Sequence, residues 1–147
     1  MIERDYLMRM VQQLAAVMAR VFNLKEQEKY DEARETIREA YGELFGLNRA
    51  LLETLSAESL AQLVGDYDKS KAIARLFQEE ASLDEFQKNE RRARERYRRA
   101  LELYLETTAA RAHQDPEILE AIHSLVDKIG RADLSERYSE MLRKLRR

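Results

Sequence analysis

Glu120 and His123 stand three residues apart, the spacing by which carboxylate-bridged di-iron helices hold their metal. Such a centre needs a second Glu-x2-His and two further inward glutamates. The other histidine, His113, has Ala110 three residues before it. The partner motif is therefore missing, and His123 reads as a surface or half-buried imidazole. Asp66-x-Asp68-x-Ser70 opens like a calcium loop, but Lys71 stands where the loop needs glycine and Phe77 where it needs its last bidentate acid. The segment reads as a turn leading into a helix. No metal and no cofactor are expected.

Lys88 to Arg99 carries seven basic residues against Glu90 and Glu95. On a helix Arg91, Arg94 and Arg98 share one face, Arg92, Arg96 and Arg99 lie on another, and Ala93, Tyr97 and Ala100 take the buried side. Such a helix could contact phosphates with steeply salt-dependent affinity. The favoured alternative is a solvated face compensated by the acidic stretch Glu26 to Glu43 of a neighbouring helix or a second chain. No glycine-rich loop or aromatic-rich basic strand accompanies it, so nucleic acid is an unfavoured partner.

The chain holds seven tyrosines and no tryptophan. Tyrosine buries a ring while keeping a wet hydroxyl, which suits both interfaces and gaps between helices. Core positions suit Tyr30, Tyr97 and Tyr104. Tyr41 and Tyr67 suit either role, and with Arg91, Arg94 and Arg98 they form the candidate partner-binding set. No P-loop, dinucleotide fingerprint or Gly-x-Ser-x-Gly elbow occurs, and neither histidine neighbours an obvious nucleophile. The chain reads as non-enzymatic.

The elements that must position these residues are helices. Over 147 residues there are one proline and four glycines, 37% of residues are charged and 44% hydrophobic. So little turn chemistry implies a few long helices with short connections in one domain, 1–147. A net charge of −2 gives no reason to invoke nucleic acid or a membrane surface. Without cysteine there are no disulfides and no thiol chemistry. Leu7 to Leu24 is interrupted by Arg9, Gln12, Gln13, Arg20 and Asn23, too polar to span a bilayer. With Glu3 and Asp5 ahead of it, it is not a secretion signal. A soluble cytoplasmic protein is the expectation.

Periodicity predicts a first helix over about 3–27, apolar on more than one side because Val11, Ala15, Met18 and Phe22 widen the stripe of Leu7, Met10, Leu14, Val17, Val21 and Leu24. That breadth makes a homodimer an option. A second helix over 31–45 ends at Gly46. Two short helices follow across 47–65, with Ser56 and Gly65 bounding the second. Asp66 to Asp68 forms a turn before a long helix from about Lys69 to the break at Lys88-Asn89. The next helix starts at Glu90 and reaches about Ala112. Asp115-Pro116 starts another, ended by Gly130, and Asp133 caps the last.

Ala33-x3-Ile37-x2-Ala40 and Ala93-x3-Tyr97-x2-Ala100 share one spacing sixty residues apart. Small residues seven apart around a large one let a second helix come close. These stretches resemble the second helix of tetratricopeptide repeats, which implies an all-α stack of about three antiparallel hairpins with a short-helix insert over about 47–65. The first-helix signature departs from the repeat. Val17 and Phe77 stand at the tryptophan, Arg20 and Glu80 at the leucine, Val21 and Ala81 at the glycine, Leu24 and Asp84 at the tyrosine. In the third pair Arg137 replaces the first small residue. Over its whole length the chain also looks like an uncharacterised bacterial family, a domain of unknown function with tetratricopeptide-like helices. Ile2-Glu3-Arg4-Asp5-Tyr6-Leu7-Met8-Arg9-Met10, Lys29-Tyr30-Asp31-Glu32-Ala33 and Leu44-Phe45-Gly46-Leu47 carry that likeness. It implies the fold and no catalytic site. The expected role is a protein–protein interaction scaffold, with a nucleic-acid-binding helix over 88–99 as the alternative.

Overall fold

The computed structural model describes residues 2–111 and 114–145, with side chains from residue 4 onward; His113, one of the metal candidates, lies outside them. Among the described residues every regular element is a helix: α1 (Ile2–Glu26), α2 (Tyr30–Phe45), α3 (Arg49–Thr54), α4 (Ala57–Val64), α5 (Tyr67–Phe86), α6 (Glu90–Ala109), α7 (Pro116–Ile129) and α8 (Glu136–Leu145). No helix among them is long and apolar enough to cross a membrane.

The starts are set by side-chain caps. Asn48, Ser56, Asp66, Asn89 and Asp115 each accept a backbone N–H from the first turn of α3, α4, α5, α6 and α7, satisfying donors that a helix cannot pair internally. Gly46, at φ 66°, closes α2 in the left-handed region. Two expectations change here. Asp66 is a cap rather than part of a turn, so Tyr67 and Asp68 belong to the first turn of α5. Asp133 does not cap α8: its carboxylate accepts Arg94 Nε at 2.6 Å, and the helix begins at Glu136.

Two helical hairpins, α1–α2 and α5–α6, form the frame, and α2 packs on α5 to join them. The alanine motifs sit at these contacts. Ala33, Ile37, Ala40, Ala93 and Ala100 are all at most 2% exposed, as close helix approach requires. α6 is the central helix, packed against α4, α5, α7 and α8. Its C-terminal half is consequently buried all round: Leu103, Tyr104 and Leu105 are consecutive and all enclosed. The insert folds back as α4 onto α6.

The last pair departs from the expected third hairpin. α7 and α8 both pack on α6 but do not pair along each other. The motif explains this. Arg137 and Lys144 occupy the two small-residue positions of α8, so α8 cannot bring its backbone close to α7. Arg137 instead makes a two-pronged bond to Glu106 of α6, 3.0 Å on each prong.

Candidate functional site

Between α2 and the α5–α6 hairpin lies a buried polar network. Asp84, 1% exposed, accepts Arg34 Nη2 from α2 at 2.8 Å and Arg96 Nη1 from α6 at 2.6 Å. Glu80, one turn earlier, accepts the Tyr41 hydroxyl at 2.7 Å. Burial, reinforced by the Glu80 carboxylate, raises the Tyr41 phenol well above its ordinary value. Arg34 also donates to Gln87 Oε1 at 2.8 Å, while its Nη1 is buried without a hydrogen-bond partner. Two carboxylates thus face two guanidiniums and pin three helices in register. Glu80 and Asp84 are two of the residues at which the first-helix signature is missing, and this network is what they build.

The network forms one wall of a cavity of about 340 Å³ between α2, α3, α5 and α6. Tyr41, Leu47, Leu52 and Phe77 supply its apolar surface, and Arg38, Arg49, Arg92, Arg96 and Arg99 surround them, against Glu53, Glu80 and Glu95. Arg99 lies over the Phe77 ring, 5.3 Å from its centroid, and donates to the Leu55 carbonyl at 3.0 Å. Burial pulls its guanidinium below the usual range, though arginine remains charged at any physiological pH. Arg49 is held by Glu53 and Arg96 by Asp84. Arg38 and Arg92 make no salt bridge among the described residues. The cavity therefore presents excess positive charge beside apolar and aromatic surface, suited to an anionic group attached to an apolar body.

The candidates singled out from sequence do not converge. Tyr41 is buried rather than open to a partner, its hydroxyl consumed by Glu80, although its ring contributes to the cavity. Tyr67 sits at the start of α5, half-buried, donating to Asp115 Oδ2 at 3.0 Å with the Arg111 guanidinium 4.0 Å from its ring centroid. Lys71 joins the same carboxylate at 2.8 Å, so Tyr67 is part of a strap from α5 to the cap of α7. Arg91 and Arg94 lie near the start of α6, at the far end of the α5–α6 pair, about 30 Å away by helix length. Arg91 is exposed. Arg94 is engaged by Asp133 and the Ile129 carbonyl, and Arg98 by Glu102 at 3.4 Å. Among the described residues, salt bridges from the basic helix go to Asp84, Asp133 and Glu102, not to the acidic stretch Glu26 to Glu43.

Arg92, Arg96 and Arg99, the second basic face of α6, line the cavity. Their spacing was a usable signal. Arg38 and Arg49 carried none, because nothing local says that α2 and α3 line the same cavity. His123 and Glu120 are both exposed on α7. Among the described residues no three histidine, aspartate or glutamate side chains cluster as a metal site. A second concavity of about 800 Å³ runs between α1, α5 and α7, with Met10, Leu14, Ala72 and Tyr104 on its floor and charged rims that include Lys71, Arg75, Glu79 and Glu117. Set against family models, curated proteins and solved structures, the chain finds no match.

Proposed function

We propose that this chain is a non-catalytic helical scaffold, tetratricopeptide-like in its hairpins, that binds an acidic segment of a protein partner. The observation that carries the reading is the arginine-walled cavity, with five guanidiniums, three carboxylates and an apolar surface that includes two aromatic rings. Arginine and tyrosine around an apolar pocket are the side chains that dominate protein–protein binding energy. An aspartate or glutamate of the partner would meet Arg38 and Arg92, and the apolar residue beside it would rest on Phe77 and Leu52. Arg49, Glu53 and Glu95 form a charged rim that sets orientation and on-rate more than affinity.

The alternative of a phosphate-binding basic helix has less support. Arg94, Arg96 and Arg98 are spent on Asp133, Asp84 and Glu102, and the remaining cations do not form a continuous stripe along α6.

Selection of displayed random peptides on the full chain tests the proposal. Enriched peptides should carry Asp or Glu next to an aromatic or aliphatic residue, and binding should weaken as salt rises. The double variant Arg38→Glu, Arg92→Glu should fail to retain them while keeping its helical circular dichroism. Enrichment of peptides without acids, or full retention by that variant, would sink the idea.

A further inference from the structure

The outer face of α1 carries an apolar stripe that the described residues leave uncovered. Met8, Val11, Ala15, Met18 and Phe22 follow one another in alternating steps of three and four, the seam spacing of paired helices. Met8 and Val11 are each 53% exposed and Phe22 is 60% exposed. Ala15 is exposed and Met18 half-buried. The opposite side of the same helix already fills the core through Met10, Val21 and Leu24. A seam four turns long, exposed at Met8, Val11, Ala15 and Phe22, marks an interaction surface, unlike single apolar residues scattered over a protein.

The order of residues along the seam is self-complementary. Counting outward from Ala15, Val11 and Ala19 lie four residues to either side, Met8 and Phe22 seven, and Arg4 and Glu26 eleven. A second α1 running the opposite way would set Met8 on Phe22, Val11 on Ala19 and the half-buried Met18 beside Gln12, with Ala15 on its own copy, where two methyl groups allow close approach. Arg4 and Glu26, both exposed, would then pair at each end. The parallel arrangement would put Arg4 on Arg4 and Glu26 on Glu26, two like-charge contacts that oppose it. The pairing closes on itself by a two-fold axis and leaves no surface for further growth.

We infer that two copies of this chain associate through α1, antiparallel, about a two-fold axis at Ala15. The seam shares no residue with the arginine-walled cavity, so either assignment can fail alone.

Sedimentation equilibrium of the full chain over the micromolar range is the first test, with a reversible monomer–dimer equilibrium expected. Phe22→Glu, at an exposed position, should give a monomer with unchanged helical circular dichroism. Arg4→Glu should raise the dimer dissociation constant about three- to tenfold, since it disturbs two rim pairs, and adding Glu26→Arg should restore it. The chain has no cysteine, so Ala15→Cys supplies a lone thiol that should oxidise to a dimer, whereas Ala16→Cys, turned off the seam, should not. A strict monomer across the range overturns the inference. So does a dimer indifferent to Phe22→Glu, or equal cross-linking through positions 15 and 16.

Discussion

Glu28 and Lys88, sixty residues apart, occupy the same point of two turns with one hydrogen-bond pattern, and hold a left-handed backbone at φ 60° and 62°. In the first turn the Lys29 amide reaches back to the Leu24 carbonyl at 2.8 Å; in the second the Asn89 amide reaches the Asp84 carbonyl at 2.8 Å. These six-to-one bonds are the closing bonds of a Schellman motif, whose left-handed position favours glycine. The sixty-residue period of the alanine motifs is thus also a period of the backbone. Neither residue is glycine, so both turns hold strain.

Glu28→Gly and Lys88→Gly should therefore each stabilise the chain, by roughly 0.5–1 kcal/mol, since a side chain in the left-handed region costs about 1–2 kcal/mol and glycine's extra unfolded-state entropy returns part of that. Urea denaturation reads the effect as a higher midpoint at unchanged slope. A lowered midpoint for both would mean that the turns are not held in this conformation.

Asp84 joins α2 to α6 through two guanidiniums and is itself enclosed. Asp84→Leu leaves Arg34 and Arg96 without the carboxylate they share, and Arg34 Nη1, 3.9 Å from Glu80 Oε2, already lacks a hydrogen-bond partner. The expected loss is about 3 kcal/mol in urea unfolding. Replacing the set together, with Arg34→Met, Arg96→Leu and Glu80→Gln added, should recover most of it, because an apolar filling of similar volume commonly matches a buried ion pair and the new amide's carbonyl oxygen can still accept from Tyr41. A quadruple variant as unstable as the single one would show that the charges do more than compensate one another.

Local rules carried the elements. Ser56, Asp115 with Pro116, and the glycines at 46, 65 and 130 mark helix ends through chemistry that acts over four residues, and the structure places the boundaries there. Asp133 misled because its charge found Arg94, thirty-nine residues away, before it found a backbone amide. The cavity was legible only in part. Arg92, Arg96 and Arg99 share a helix face by spacing alone, but Arg38, Leu52 and Phe77 meet them through tertiary folding that no local pattern encodes. Tyr41 illustrates the same boundary. Its periodicity suits either a core or a rim, and the choice was made by Glu80, a residue read from sequence only as a missing leucine.

Tyr41 and Tyr104 are 2% and 4% exposed, and burial raises both phenols above the ordinary value of 10.0. Below pH 10 both states keep the proton and stability is full. Above it the unfolded chain ionises while the folded chain does not, so the unfolded state binds fewer protons and stability falls as pH rises. The slope should approach about 1.4 kcal/mol per pH unit for each such tyrosine. Tyrosinate absorbance from these two should therefore appear together with loss of helical circular dichroism. Tyr41→Phe should flatten the alkaline slope, yet cost about 1–2 kcal/mol at neutral pH because Glu80 loses its buried donor. Gradual ionisation of every tyrosine with the helices intact would contradict the buried positions.

Ala93 and Arg137 stand at corresponding places in α6 and α8, and the structure gives them opposite tolerance. Ala93 is 2% exposed where α6 meets its neighbours. A leucine there adds three carbons to a filled contact and must push a helix aside, for about 1–3 kcal/mol. Ala33→Leu should behave alike, at the equivalent contact of α2. Arg137 keeps a half-exposed side chain, but of its two partners only Glu58 is open to solvent, while the Glu106 side chain is 8% exposed. Arg137→Ala alone would leave that carboxylate unpaired and cost about 1–3 kcal/mol, whereas Arg137→Ala with Glu106→Gln removes the stranded charge and should hardly move the urea midpoint. If the double variant costs as much as Ala93→Leu, α8 packs as closely as α6 does. The difference in midpoint between Ala93→Leu and the double variant is therefore a direct measure of why the chain closes two tight hairpins and leaves its last pair of helices splayed across α6.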